Sequence, residues 1–350
     1  MTALAWDWTS QTRGDLARFL ADRAILDGPI TTRAIGDGHS NLTFLVGDGI
    51  RQVIVRRPPP PPIPPGANDM LREAKLLTAL HSTAVPVPEV LAVAEQGEVL
   101  DVPFYVMSFA RGPVVTSCTP APLDTPEQRQ AVGNDLVDTL AALHAVDWRA
   151  TGLERMRRPE GFNARHLQRM RRLVADDNGD PPAEFADIDA WLVANTPPES
   201  GATLVHCDFR IGNVVLAPDT PGRVAAVLDW ELATIGDPLL DVGYLLATVP
   251  EPGRPMNPTA ELGAAMLEPG YPSKDELAQR YSVRTGRDLT NVAWYTTLAL
   301  WKLAVLYEYS RRRVLDGIGD PYYADPGLVR RFLDDARRSA GIAEADTVRR

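Results

Sequence analysis

Apolar and polar positions recur along this chain at two different periods, and the change of period marks its organisation. In LARFLADRAIL, Leu16, Phe19, Leu20 and Arg23 fall on one helical face, which predicts a short helix with its apolar stripe inward. ITTRAIGDGHSNLTFLV then reads as strand, glycine-bearing turn and strand, and IRQVIVRR as a third strand. The run PPPPPIPPG (58–66) has almost no N–H groups to donate and predicts an extended connector. Asp69 stands where an N-cap belongs before MLREAKLLTAL, whose Leu71, Ala74, Leu77 and Leu80 share a face. VPVPEVLAVAEQGEVLDVPFYVMSFARG predicts two more strands around a Gly turn. Five strands and one inserted helix make a first lobe.

After Gly112 the period becomes helical. Thr125, Pro126 and Gln128 open PEQRQAVGNDLVDTLAALHAVDW with the signature of a capping box, and helical patterning continues to the C-terminus. It is interrupted by two short strands that flank APDTPG, a segment with the turn residues of a hairpin. The expected architecture is α+β and bilobal. Residues 1–112 form a β-sheet lobe with one helix, with a hinge near 107–112, and 113–350 form a larger, mostly α-helical lobe. A length of 350 residues suits two such lobes. Net charge of −10 argues against a general nucleic-acid binder. The absence of an 18-residue apolar run argues against a membrane span. Two cysteines, Cys118 and Cys207, make no disulfide framework. Together with an N-terminus that lacks a leader pattern, these features predict a cytoplasmic protein.

Candidate chemistry gathers around the hairpin. LVHCDFRIGNVV carries Asp208 and Asn213, and VAAVLDWELATIGDPLLDVGYLL ends an apolar run on Asp229 before adding Asp237 and Asp241. Two carboxylates and an amide oxygen at the end of a two-stranded unit are hard donors suited to Mg²⁺, which takes one or two carboxylates plus phosphate oxygens. The Asp-x₄-Asn spacing also matches the protein-kinase catalytic loop, where the Asp accepts a hydroxyl proton and the Asn holds a metal ion. His206 reads as an orienter of that loop's backbone, and His144, on an apolar helical face, as a core residue. A metallohydrolase built on His206, Asp208 and Asp229 is an alternative, although the five histidines are scattered and no His-x-x-x-His spacing occurs.

With HCDFRIGN, LDWE and GDPLLD in place, the chain resembles the aminoglycoside phosphotransferase and choline kinase-like family, a protein-kinase-like fold acting on small molecules. HCDFRIGNVV, VLDWELATIGDPLLDVGYLL, VIVRRPP and NDMLREAKLLTAL most resemble the kinase domain that also occurs fused to acyl-CoA dehydrogenases. The resemblance implies ATP and Mg²⁺ as cofactors and an ATP-dependent transfer of the γ-phosphate to a small-molecule hydroxyl, for instance of a hydroxyacyl-CoA. It assigns Asp208 as catalytic base, Asn213 and Asp229 as Mg²⁺ ligands, and Asp241 as a brace for the catalytic loop. Met107, Ser108 and Phe109 become the hinge facing adenine, and GDGHSNLTFLV the phosphate loop, with Gly36, Gly38 and Ser40 as its contacts. Segments 161–195 and 270–313 would wall the acceptor pocket, where the aromatics and Arg cluster of WKLAVLYEYSRRR either meet an anionic group or form a solvated helix end. The chain departs from the family in three places. Cys207 replaces the usual Gly between His and Asp, and the phosphate loop lacks a third Gly. The strand position of the phosphate-contacting Lys is Arg56, whose partner would be Glu73. None of the three lysines (75, 274, 302) suits that strand role. The Arg56 replacement leaves a catalytically inactive nucleotide-binding module as a further alternative.

Overall fold

The computed structural model describes residues 8–35, 41–59, 68–153, 156 and 161–342. They cluster into two compact units, Met1–Arg111 with Ala225–Glu231, and Gly112–Val224 with Leu232–Arg350. Gly36, Gly38 and Ser40, and most of the proline run, lie outside the described residues.

In the first unit α1 (Ser10–Ala21) is capped by Thr9 and buries Leu16, Phe19 and Leu20. The helix stops before Arg23, which the periodicity had placed on its face. The chain turns there, Ala24 adopts a positive φ of 55°, and the Arg23 guanidinium folds back over the Phe19 ring at 3.7 Å. β1 (Thr31–Ile35), β2 (Leu42–Gly47), β3 (Gln52–Arg57), α2 (Met70–His81), β4 (Val90–Ala94) and β5 (Phe104–Ser108) follow. The five strands form one antiparallel sheet in the order β1-β2-β3-β5-β4. Phe44, Val46, Val53, Val55, Phe104 and Val106 point from one face of this sheet into a core shared with α1. By strand alternation Arg56 and Tyr105, paired in register, belong to the opposite face.

Asp69 caps α2 by accepting the Arg72 N–H at 3.0 Å. The buried face of α2 is Met70, Glu73, Ala74, Leu76, Leu77 and Leu80, and Leu71 is only half-buried. The expected apolar face is therefore rotated toward Glu73, and the physical reason is that a buried cation awaits it there.

The second unit contains α3 (Pro126–His144), α4 (Phe162–Arg171), α5 (Ala186–Ala194), β6 (Thr203–Val205) and β7 (Val214–Leu216). β8 (Val224–Val227) begins in it and runs into the 225–231 stretch that groups with the first unit. β9 (Thr234–Gly236), α6 (Leu239–Thr248), α7 (Pro258–Glu261), α8 (Lys274–Thr285), α9 (Val292–Leu315) and α10 (Pro326–Ala340) complete it. The capping box of α3 is formed by Thr125 and Gln128. β6 pairs antiparallel with β9, a pairing that three-residue strands are too short to announce by periodicity. All ten residues of α6 are buried, as befits a helix that is mostly apolar around its whole circumference. Its contact with α9 requires Gly243, because a β-carbon there would sit 2.4 Å from the Tyr295 carbonyl carbon. Among the described residues no helix is long and apolar enough to cross a membrane.

Candidate active site

Strand β3 delivers Arg56 into a group of carboxylates within the first unit. Its Nε lies 3.3 Å from Glu73 Oε1, and one terminal nitrogen lies 2.6 Å from Asp229 Oδ1 and 3.6 Å from Glu231 Oε2. Arg56 is 9 % exposed and Glu73 2 %, so both charges have left water and depend on each other. Burial raises the pKa of Glu73 against the pull of Arg56. Burial would lower that of Arg56, but Glu73, Tyr105 and Asp229 together hold it above its ordinary value. Burial, then the neighbouring Glu73 carboxylate, raise the pKa of the Tyr105 hydroxyl. Glu231 is tied further: Asn41 Nδ2 donates to its carboxylate at 2.6 Å, Asn68 donates to Asn41, and Arg72 donates to the Glu231 carbonyl. One guanidinium thus faces three carboxylates. Arg57, one residue on, faces the other side of the strand, 5.5 and 5.4 Å from the Trp8 and Phe44 ring centroids. At the end of β5, Met107 is buried opposite Ile54, and Phe109 is half-buried. The Ser108 N–H is already spent on the Glu89 carbonyl at 2.8 Å.

In the second unit the chain leaves β6 through His206, Cys207 and Asp208. Asp241, in the first turn of α6, accepts the His206 and Cys207 N–H groups at 2.7 and 2.6 Å, one on each carboxylate oxygen. His144 Nε2 approaches the same carboxylate at 3.2 Å, and its Nδ1 meets the Tyr281 hydroxyl at 2.7 Å. Burial alone would raise the Asp241 pKa, but His144 and the loop N–H groups hold it below the usual carboxylate range. The helix N-terminus favours the same ionised form. His206 Nδ1 accepts the Asp208 N–H at 3.2 Å. Asn213 Nδ2 donates to both the Asp208 carbonyl and its Oδ2 at 2.8 Å. Burial, then the nearby Asp208 carboxylate, raise the pKa of the Tyr244 hydroxyl, which stays neutral. Arg210 Nε stands 3.8 Å from Asp208 Oδ1. The result is a half-buried carboxylate held by Asn213, with Arg210 beside it, on a loop anchored from beneath.

The residues anticipated from the sequence thus form two groups: Arg56, Glu73 and Asp229 in the first unit, and His206, Asp208, Asn213 and Asp241 in the second. Sequence reasoning missed Glu231 and Asn41 in the first group and Tyr244, Tyr281 and Lys302 in the second. His144 was read as a plain core residue. Two of these carried a signal, since His144 and Lys302 are single polar residues inside otherwise apolar helical faces. The Arg cluster of WKLAVLYEYSRRR is partly neutralised, because Arg311 and Arg312 both pair with buried Glu308 at 2.7 and 2.9 Å.

A cavity of about 380 Å³ opens at the other end of α6, lined in part by Val249, Pro255, Met256 and Ala260. Its Glu251 is already paired with Lys274 and Arg254 at 2.7 and 3.0 Å, and it contains none of the loop residues around Asp208.

Comparison with known proteins identifies the family. Residues 31–277 match the profile of the phosphotransferase enzyme family. Acyl-CoA dehydrogenase family member 10 of Mus musculus is 29 % identical over 294 residues, which cover 83 % of this chain and 27 % of the mouse protein. The chain therefore corresponds to little more than a quarter of that relative's length. Among solved structures, an aminoglycoside-phosphotransferase-like protein of Ralstonia eutropha superposes with a TM-score of 0.76 at 26 % identity, covering 95 % of this chain and 99 % of the other. A mutant aminoglycoside phosphotransferase in ternary complex with AMP-PNP and hygromycin B shares the fold, with a TM-score of 0.55 at 19 % identity over 95 % and 99 % of the two chains.

Proposed function

The chain belongs to the phosphotransferase enzyme family, and from that premise we propose that it transfers the γ-phosphate of ATP to a hydroxyl group of a small molecule. The observation that carries the reading is the state of Asp208. Its carboxylate is held by Asn213 on a loop whose backbone is fixed by Asp241. Such a carboxylate orients an acceptor hydroxyl and takes its proton as the oxygen attacks phosphorus. Arg56, positioned by Glu73, grips phosphate oxygens, and its planar fork can do so through two nitrogens.

The donor set fits Mg²⁺. Asn213 commits its N–H₂ to Asp208, which leaves its amide oxygen for a cation, and Asp229 is a half-buried carboxylate. Asn213 and Asp229 would hold the ion, which neutralises charge on the transferring phosphoryl group. The complex of a fold relative with AMP-PNP and hygromycin B supports a nucleotide and a small hydroxylated acceptor. The relationship to an acyl-CoA dehydrogenase family member makes hydroxyacyl-CoAs the first acceptors to try, with aminoglycosides and simple alcohols beside them. A cytoplasmic setting, where ATP is plentiful, belongs to this reading.

The test is Asp208→Asn assayed over that acceptor panel. Phosphorylated product should fall by a factor of about 10² to 10⁴, the contribution of a positioned base, while calorimetry shows Mg-nucleotide binding retained. Wild-type turnover in the variant would remove Asp208 from the mechanism.

A further inference from the structure

The residue next to the proposed base adopts a conformation that its side chain does not favour. Cys207 has φ of 67°, in the left-handed region where a β-carbon clashes with the following carbonyl. Non-glycine residues persist there only when their surroundings over-determine the backbone. Those surroundings are visible. The Cys207 N–H is held by the fully buried Asp241 carboxylate at 2.6 Å. Its C=O is held by the Lys302 ammonium at 3.1 Å, from the middle of α9. Lys302 is 8 % exposed, and among the described residues no carboxylate pairs with it. Its other neighbour of note is the Tyr244 ring, 5.4 Å from Nζ. An ammonium taken out of water without a carboxylate is expensive unless it does something specific. Here it completes a clamp in which an anion grips the N–H of one residue and a cation grips its C=O.

We propose that Lys302 is a positioning residue for the proposed phosphoryl transfer. Opposed to Asp241 across Cys207, it enforces the left-handed backbone that aims Asp208, and it makes a cysteine acceptable at this position. The proposal rests on the reading of Asp208 as the acceptor's base only for its effect on rate. The clamp itself is read from the loop. Charge-assisted hydrogen bonds of this kind are about twice as strong as neutral ones, and both ends of the Cys207 residue have one. Replacing Cys207 by Gly removes the backbone penalty, so the chain should then depend much less on Lys302.

A double-mutant cycle separates the clamp from an ordinary packing role. Hydrogen–deuterium exchange of the peptide spanning 204–215 is measured in wild type, Lys302→Met, Cys207→Gly and the double variant. Met reproduces the unbranched stem of Lys without its ammonium and suits a buried site. Exchange should rise about five- to thirtyfold in Lys302→Met, the population change expected from a penalty of this type, and return to within a few-fold of wild type in the double variant. In parallel, kcat for MgATP turnover should fall in Lys302→Met with the Kd for MgATP unchanged, and recover in the double variant. Equal rises in exchange in the two backgrounds, or no rise in either, would overturn the proposal. If Lys302→Met does not fold, Lys302→Gln, which keeps an N–H donor without the charge, carries the same cycle. Exchange that follows the cycle while turnover does not move would leave the clamp standing and count against Asp208 as the base.

Discussion

The Arg56 cluster and the Cys207 loop are both built from buried charges, yet they are balanced in opposite ways. Around Arg56, one guanidinium meets Glu73, Asp229 and Glu231, so the group carries excess negative charge. At the loop, Asp241 and Lys302 sit on opposite ends of one residue and offset each other. Like charges brought together out of water repel strongly, so an unbalanced group gains from any cation that joins it. A balanced group gains nothing from a ligand and holds its shape without one. The difference teaches which region is set up to receive charge and which to stay still.

Asp229→Ala is the severest test of that contrast. Removing one of three carboxylates leaves Glu73 and Glu231 with Arg56, so unfolding free energy without nucleotide should change by less than about 1 kcal/mol, given that Asp229 is partly solvated. Affinity for the Mg-nucleotide should drop more than about tenfold, or roughly 1.4 kcal/mol, and chelation of Mg²⁺ should weaken the wild type to match. Calorimetry that finds affinity intact would detach Asp229 from the metal.

Arg56→Lys probes the centre of the unbalanced group. A lysine makes one contact where the fork reaches Glu73 and Asp229 through different nitrogens, so the variant should lose about 1–3 kcal/mol in urea denaturation and bind nucleotide more weakly. Arg57→Ala, which removes the stacking on Trp8 and Phe44, should cost about 1 kcal/mol and leave nucleotide affinity alone. Equal effects of the two on affinity would mean that the strand does not aim Arg56 at phosphate.

A pH-dependent effect concerns His166, which lines a small cavity with Cys207, Tyr244 and Lys302. Burial, with Lys302 and Arg169 nearby, pushes its pKa down from 6.5 to about 3. The unfolded chain therefore binds the proton first, and stability from this group is complete above pH 6.5 and lost as pH falls toward 3. The slope grows from about half of 1.4 kcal/mol per pH unit at pH 6.5 toward that full value, so about 1.6 kcal/mol should disappear between pH 6.5 and 5. Urea titrations of His166→Gln should lack that component. A wild type and variant with parallel pH profiles would place His166 in contact with water.

Much of the first unit was legible because its strands alternate and its helix carries a cap, both short-range signals. The five strands, the inserted helix and the Thr125 capping box all appear as the patterning predicts. What misled was the extrapolation of a helical face. Arg23 continues the α1 period but lies beyond its end, and Leu71 fits the α2 period while Glu73 takes the inward place. Periodicity counts residues; it does not know where a helix terminates or that a buried Arg56 will accept a carboxylate in the core. The candidate site was legible only in its sequence-local parts. Asp208 and Asn213 announced themselves by a fixed spacing, whereas Tyr244, Tyr281 and Lys302 lie on three helices and share no spacing with the loop.

The sequence by itself determined the order of elements, the lobe of strands followed by helices, and the identity of Asp208, Asn213 and Asp229 as the oxygen donors worth watching. These follow from propensity, alternation and spacing, which act over a few residues. Tertiary structure alone decided that Glu231 joins Arg56, that His144 is wired to Asp241, and that Lys302 reaches the Cys207 carbonyl from 95 residues away along the chain. The physical reason is that a buried charge has no preferred sequence distance. It is satisfied by whichever group the packing of strands and helices delivers within hydrogen-bond reach, and that is settled only when the core closes.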